Sequence, residues 1–521
     1  MAPHLETPII SLRDHFPVDS DLEIIPQVDL NFSLPDNDTP ITRLPVVLCS
    51  SRALINGIFV PATLILDPIT GKITQIYNEI LPRDAFPHGS TYRDYTPCVL
   101  MPGLVDAHVH LNEPGWRTEW EGFETGTRAA AFGGVTTLID MPLNAIPPTT
   151  TVENLNLKVA AAQNQCWVDV GFYGGVIPGN EDELVPLVEA GVRGFKCFLI
   201  ESGVEEFPCV SAGDIAKAMT VLKNSPTTLM FHAEMLPPLS LSLGDSVLHG
   251  GPPAEPTGDT DKYSTFLDSR PPTFEIYAID EILSLAHLAP ELQLHIVHLS
   301  AAEGIPLVRA ARERGIKISA ETCFHYLTLA AEDIEDGDTR HKCCPPIREG
   351  ANREFLWEAL REGLVETVVS DHSPCTPNLK MLKSDGGDGD FFQAWGGIST
   401  VGLGLSVLWT ESQKRGVTLE ECSMWTSWKT AKQVGLLGKK GALEVGWDAD
   451  VCVFDPEAEF TVTTAEMKFK NKITPYENKT LKGKVCETWL RGRRIYSSVD
   501  GFDEKSGPTG SMLLERRVFS N

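Results

Sequence analysis

Between residues 101 and 436 the sequence repeats one rhythm: a short apolar run, then a stretch of helical character. The apolar runs are 104–110, 135–140, 168–173, 194–199, 228–232, 294–299, 316–321 and 365–371. Such runs, rich in β-branched residues and bounded by polar or glycine-containing segments, read as buried strands. Eight strands alternating with helices predict an α/β fold, a closed (β/α)8 TIM-like barrel, whose chemistry sits at the C-terminal ends of the strands.

Both flanks have a different texture. Pro45-Val-Val-Leu-Cys, Ile55-Asn-Gly-Ile-Phe-Val and Ala62-Thr-Leu-Ile-Leu are strand-like and broken by the turn signals Asn56-Gly57 and Thr70-Gly71. The pattern returns in Asp450-Val-Cys-Val-Phe-Asp and around Val485-Cys-Glu-Thr-Trp-Leu. The expected organisation is a small β-sandwich domain built from 45–100 and 437–498 around a barrel over 101–436. An irregular extension over 1–44 precedes it and a tail over 499–521 follows. The Pro- and Gly-rich stretch 236–275 and the segment from Lys383 read as loops over the barrel mouth.

The 521 residues carry a net charge of −27, which disfavours nucleic acid and anionic membranes as partners. No apolar stretch reaches the roughly 18 residues of a membrane span, and the start lacks the features of a signal peptide. A cytoplasmic protein acting on a small molecule is expected. The twelve cysteines form no Cys-x-x-Cys pair. Cys98, Cys197 and Cys452 lie in apolar surroundings and read as buried reduced thiols. A metal site would therefore be built from histidine and carboxylate.

The strand ends carry the chemistry. The first ends Asp106-Ala-His108-Val-His110, and residues two apart on a strand point the same way, so both imidazoles can serve one ion. Lys196 lies inside Phe195-Lys-Cys-Phe-Leu. Taken singly, it reads as a lysine snorkelling to the rim. Burial lowers an amine's pKa, however, and a neutral amine can take up carbon dioxide as a carbamate, an anionic bidentate ligand. The later runs supply His232, His298 and Asp371; His295 falls on the opposite face from His298 and reads as structural. A barrel gathers these ends around one mouth. Four histidines, one acid and one carbamate suit two divalent ions about 3.5–4 Å apart. The imidazoles favour zinc, with manganese, cobalt and iron as alternatives.

Gly103-Leu-Val-Asp-Ala-His-Val-His, the strand lysine and Ser370-Asp-His-Ser-Pro resemble the amidohydrolases that open cyclic amides: dihydroorotases, dihydropyrimidinases (hydantoinases) and allantoinases. Gly441-Ala-Leu-Glu-Val-Gly-Trp-Asp-Ala-Asp is similar to their returning sheet segment, so the resemblance spans about 45–495. It implies two Zn2+ bridged by an N6-carboxylysine at Lys196 and bound by His108, His110, His232, His298 and Asp371, in a homotetramer. Within the group, His110-Leu-Asn-Glu-Pro-Gly, Thr118-Glu-Trp-Glu-Gly-Phe, Met141-Pro-Leu-Asn-Ala-Ile and Lys342-Cys-Cys-Pro-Pro-Ile-Arg resemble allantoinases. Asn112 stands where dihydroorotases place the arginine that grips a substrate carboxylate. Glu201 and Cys344 stand where dihydropyrimidinases carry Tyr and Ser, and Ala394-Trp-Gly-Gly-Ile replaces their Pro-Asn-Gly loop.

The resemblance implies hydrolysis of the ring amide of allantoin to allantoate, a step of purine catabolism. Asp371 would bind one metal and move a proton between the attacking water and the leaving nitrogen. Asn112, Asn144, Cys344 and Ser373 are the expected substrate contacts. A hydantoinase on the same machinery is the alternative enzyme. A non-catalytic relative would have lost ligands, and all six are present.

Overall fold

The computed structural model describes residues 44–236 and 257–519. The expected extension over 1–44, except its last residue, and much of the 236–275 stretch lie outside the described residues.

Eight parallel strands build the barrel: β1 (Leu104–Val109), β2 (Val135–Asp140), β3 (Asp169–Phe172), β4 (Phe195–Phe198), β5 (Thr228–His232), β6 (Gln293–Ile296), β7 (Ile318–Cys323) and β8 (Thr367–Val369). All but the first residue of β6 are buried, as expected of parallel strands covered on both faces. Pairing runs from β1 to β3 and from β4 to β8, and a two-residue strand, Gly174–Gly175, continues β3 and pairs with β4. The ring closes beyond β8. Val109 bridges His372 in parallel, and the His110 N–H donates to the His372 carbonyl at 2.9 Å. This closure sets the end of β8, with Asp371, against the end of β1, with His108 and His110.

The helix Ala212–Leu222 illustrates the outer layer. Ser211 and Asp214 form a reciprocal capping box at its start, and Ile215, Ala218, Met219 and Leu222 recur at helical spacing on the buried face. The 236–275 stretch is not all loop. Tyr263–Asp268 is helical and a second helix begins at Thr273, because Tyr263, Phe266 and Phe391 pack together as an aromatic cluster.

Strands from both flanks meet in one nine-stranded sheet. Val99–Pro102 is its seam: it pairs with Val46–Ile55 on one side and antiparallel with Val451–Thr461 on the other. The Asn56–Gly57 signal is realised as a hairpin turn, with φ of 49° and 76°. Leu48, Leu64, Leu66, Leu100, Val451, Val453 and Trp489 form a core separate from that of the barrel. A buried ion cluster joins the two units. Lys440 Nζ lies 2.7 Å from Asp169, 2.9 Å from Asp448 and 2.7 Å from Asp450. Beyond it, the tail runs along β3, exchanging backbone bonds between Val170 and both Ser511 and Leu513. Among the described residues no helix is long and apolar enough to cross a membrane.

Candidate metal centre

The C-terminal ends of the strands open into a cavity of about 310 Å3. His108, His110, Lys196, His232, His298 and Asp371 all line it, so the structure brings together all six residues expected as ligands. One ligand atom from each of His108, His110 and Asp371 lies within 4.8 Å of the others. Asp371 Oδ1 is 3.2 Å from His108 Nε2 and 3.4 Å from His110 Nε2. On the other side, His298 Nε2 is 3.4 Å from Lys196 Nζ and 3.1 Å from His232 Nδ1. His298 and Asp371 are held at φ of 38° and 41°, left-handed values uncommon outside glycine and typical of sites where the fold overrides local preference.

Buried carboxylates orient two of the histidines. Glu321 accepts from His108 Nδ1 at 2.6 Å, leaving Nε2 bare toward the cavity. Its other oxygen lies 3.0 Å from His295 Nε2, so His295 has the structural role expected of it. Glu234 accepts from His232 Nε2 at 2.8 Å and from Arg270 at 2.6 Å, leaving His232 Nδ1 bare. Glu234 follows its histidine by two residues, a signal present in the sequence. Glu321 had none, because its use depends on where the closed barrel places β7, two strands from β1.

Electrostatics matches the geometry. Burial pushes the His110, His232 and His298 imidazoles below their ordinary value, so they are neutral and able to bind a cation. Burial also brings the Lys196 amine down to about 8, where a reactive neutral fraction exists near physiological pH. Burial alone would raise Asp371, but His108, His298 and His110 hold its carboxyl well below the ordinary range. Bare ring nitrogens, an ionised carboxylate and a partly neutral amine converge, and the buried His298 Nδ1 has no hydrogen-bond partner. This donor set fits divalent metal.

The expected substrate contacts divide. Asn144, Cys344 and Ser373 line the cavity; Asn144 Nδ2 lies 3.3 Å from His110 Nδ1, and Ser373 Oγ donates to Asp371 Oδ1 at 3.0 Å. Asn112 does not line it. Its side chain is 1 % exposed and its amide has no hydrogen-bond partner, at a backbone φ of 63° where the chain turns away after β1. Arg270 and Lys342 line the cavity instead. Both stand outside the strands, where strand-end reasoning does not look. Lys342 Nζ donates to the carbonyls of Phe392 and Ala394, fixing the segment that forms one wall.

The sequence model of the amidohydrolase family matches residues 99–495. An allantoinase of Saccharomyces cerevisiae is 48 % identical over 480 residues, covering 90 % of this chain and 99 % of the relative. An allantoinase of Streptomyces avermitilis is 45 % identical over 474 residues, covering 91 % and 99 %. Among solved structures, the L-hydantoinase (dihydropyrimidinase) of Arthrobacter aurescens superposes with a TM-score of 0.80 at 26 % identity, covering 91 % of this chain and all of that one. A barrel whose strand ends gather four imidazoles, a lysine and an aspartate, together with these matches over nearly the whole chain, makes the protein a member of the amidohydrolase family.

Proposed function

We propose that this chain is an allantoinase, opening the ring amide of allantoin with water to give allantoate. The observation that carries the reading is the 48 % identity to the yeast allantoinase along 99 % of that protein, with all six candidate ligands around one cavity. The six would hold two divalent ions, with zinc favoured by the imidazoles and Lys196 carboxylated to bridge them. When bound, such a pair lowers the pKa of water and polarises a carbonyl oxygen.

The chain's own residues do the rest. Glu321 and Glu234 fix the tautomers of His108 and His232. Asp371, ionised and held by the Ser373 hydroxyl, takes the proton of the attacking water on a carboxylate oxygen and returns it to the departing ring nitrogen. Asn144, Cys344 and Ser373 line the space beside the reacting amide and are the proposed substrate contacts. Lys342 ties down the segment around Ala394 that forms one wall of the cavity. The same reading keeps the cytoplasmic location expected from the sequence and the homotetramer that the resemblance implies, and divides the chain at 45–100 with 437–498 against 101–436.

The hydantoinase neighbours favour a second reading, hydrolysis of hydantoin or dihydrouracil. Ring opening measured on the metal-loaded protein with allantoin, hydantoin, dihydrouracil and dihydroorotate decides between them. The allantoinase reading expects the highest kcat/KM for allantoin, and faster turnover of hydantoin or dihydrouracil overturns it.

A further inference from the structure

Outside the cavity lining, in the sheet built from both flanks, the Sγ atoms of Cys98 and Cys486 lie 3.9 Å apart. They are 388 positions apart in sequence. Cys98 precedes the seam strand Val99–Pro102, and Cys486 lies on Thr480–Leu490. These two strands flank Val451–Thr461 and do not pair with each other. The middle strand breaks register there: Val453 pairs with Glu487 and Phe454 with Val485, so Cys486 is the unpaired residue of a bulge. Bulges re-aim side chains, and this one brings Cys486 to Cys98.

The two thiols differ from the others among the described residues. Most cysteines are buried, whereas Cys98 and Cys486 are only half-buried. The sequence reading of Cys98 as a buried apolar residue is corrected here: it lies at the margin of the sheet core, not inside it. Cys209 and Cys344 are half-buried too, but Cys209 bonds Glu201 and Cys344 lines the cavity. The hydrogen bond from Cys486 and the charge of Arg52 draw the Cys98 thiol below its ordinary value, against its burial, which favours the nucleophilic thiolate.

We propose that Cys98 and Cys486 are a modification site, closing to a reversible intramolecular disulfide with a disulfide oxidant such as glutathione disulfide. The Cys98 thiolate attacks one glutathione sulfur, forming a mixed disulfide and expelling a glutathione thiolate. Cys486, after giving its proton to solvent, attacks the Cys98 sulfur and expels the second glutathione thiolate. Two protein thiols are oxidised, and one glutathione disulfide is reduced to two thiols. The bridge ties the strand that leads into β1 to the returning strand near the other end of the chain, closing a loop long enough for a large loss of unfolded-state entropy.

The test is incubation of the metal-loaded full-length protein with glutathione disulfide, alkylation of remaining thiols, and peptide mapping without reductant. The expected result is a linked Cys98–Cys486 peptide pair, removed by dithiothreitol, and a rise in Tm of roughly 2–4 °C. Cys486→Ser should stop at a glutathione adduct on Cys98 and gain no stability. Recovery of both cysteines alkylated from oxidised wild type, or of a persistent glutathione adduct with no linked pair, overturns the proposal. The wild-type map decides it whether or not the serine variant folds.

Discussion

His108 Nδ1 and Glu321 Oε1 lie 2.6 Å apart with both side chains fully buried, and the other oxygen of Glu321 reaches His295. One carboxylate thus fixes a candidate ligand on β1 and a structural histidine on β6. Glu321→Gln keeps the shape but removes the charge, and its amide NH2 must face one of two ring N–H groups. Metal affinity, measured by chelator competition, should fall about 10- to 100-fold. Unchanged affinity would mean that Glu321 serves packing alone.

Lys196 is buried on an apolar strand, with His298 as its polar neighbour at 3.4 Å. As the proposed carbamate bridge, its loss in Lys196→Ala should abolish metal retention and turnover together. Short carboxylic acids should restore part of both by supplying the missing oxygens. Metal analysis of the purified variant checks this, and full occupancy without added acid contradicts a bridging role.

The barrel and the ligand set were legible because each lies in a local pattern: an apolar run, with a ligand-type residue at its end. Of the carboxylates behind the histidines, Glu234 follows His232 by two residues and left a local signal, but Glu321 left none, since it meets His108 only through the order of strands around the ring. Arg270 and Lys342 escaped because they reach the cavity from segments between strands. Asn112 was misplaced for the opposite reason. Its position in a motif gave an expected role, but a motif position does not say which way the chain turns, and at a φ of 63° the residue is buried and is not among those lining the cavity.

Asp371 is the proposed proton carrier, and its carboxylate faces both His108 and His110. Asp371→Asn retains an oxygen donor but not the basic group. Turnover should fall about 10²–10⁴-fold while part of the metal stays bound. Near-normal kcat with stoichiometric metal would refute the assignment.

The Lys440 cluster predicts a reversed pH dependence of stability. Burial would raise Asp169 and Asp448, yet Lys440, helped by Arg491 at Asp169 and Lys72 at Asp448, outweighs it and both lie below the ordinary value; burial would lower Lys440, yet the three carboxylates hold it raised. The contribution of Asp169 and Asp448 is present above their unfolded values near 4 and lost as pH falls through the depressed ones; Asp450 is instead raised by burial, so its contribution is present below about 4 and lost as pH rises through the raised value. That of Lys440 is present below about 10.5 and lost at higher pH. Asp169, Asp448 and Lys440 should therefore give wild type little change between pH 5 and 8. Lys440→Met leaves buried carboxylates without their shared cation, at a cost of about 3–5 kcal/mol. Their pKa values then rise, so the variant's Tm should recover as pH is lowered from 8 to 5. A variant Tm that is flat or falls over that range contradicts the cluster's role.

Specificity gives the last prediction, and the cavity changes its basis. A carboxylated ring such as dihydroorotate was expected to meet Asn112 and find no cation, but Asn112 is absent from the lining and Arg270 is present. Arg270 is not free, however: its guanidinium is bonded to buried Glu234 at 2.6 Å, and Lys342 is committed to two backbone carbonyls. An entering carboxylate must compete with Glu234 or remain unpaired. An unpaired buried charge costs several kcal/mol, so kcat/KM for dihydroorotate should lie more than about a thousandfold below that for allantoin. Glu234→Gln tests the cause. It releases Arg270 and also loosens His232, so both substrates lose whatever the metal site loses. That common loss cancels in the ratio of the two kcat/KM values, and the ratio should shift toward dihydroorotate by at least about tenfold. A ratio unchanged in the variant would show that Arg270 does not set the discrimination, and comparable values in wild type would remove the allantoinase reading itself.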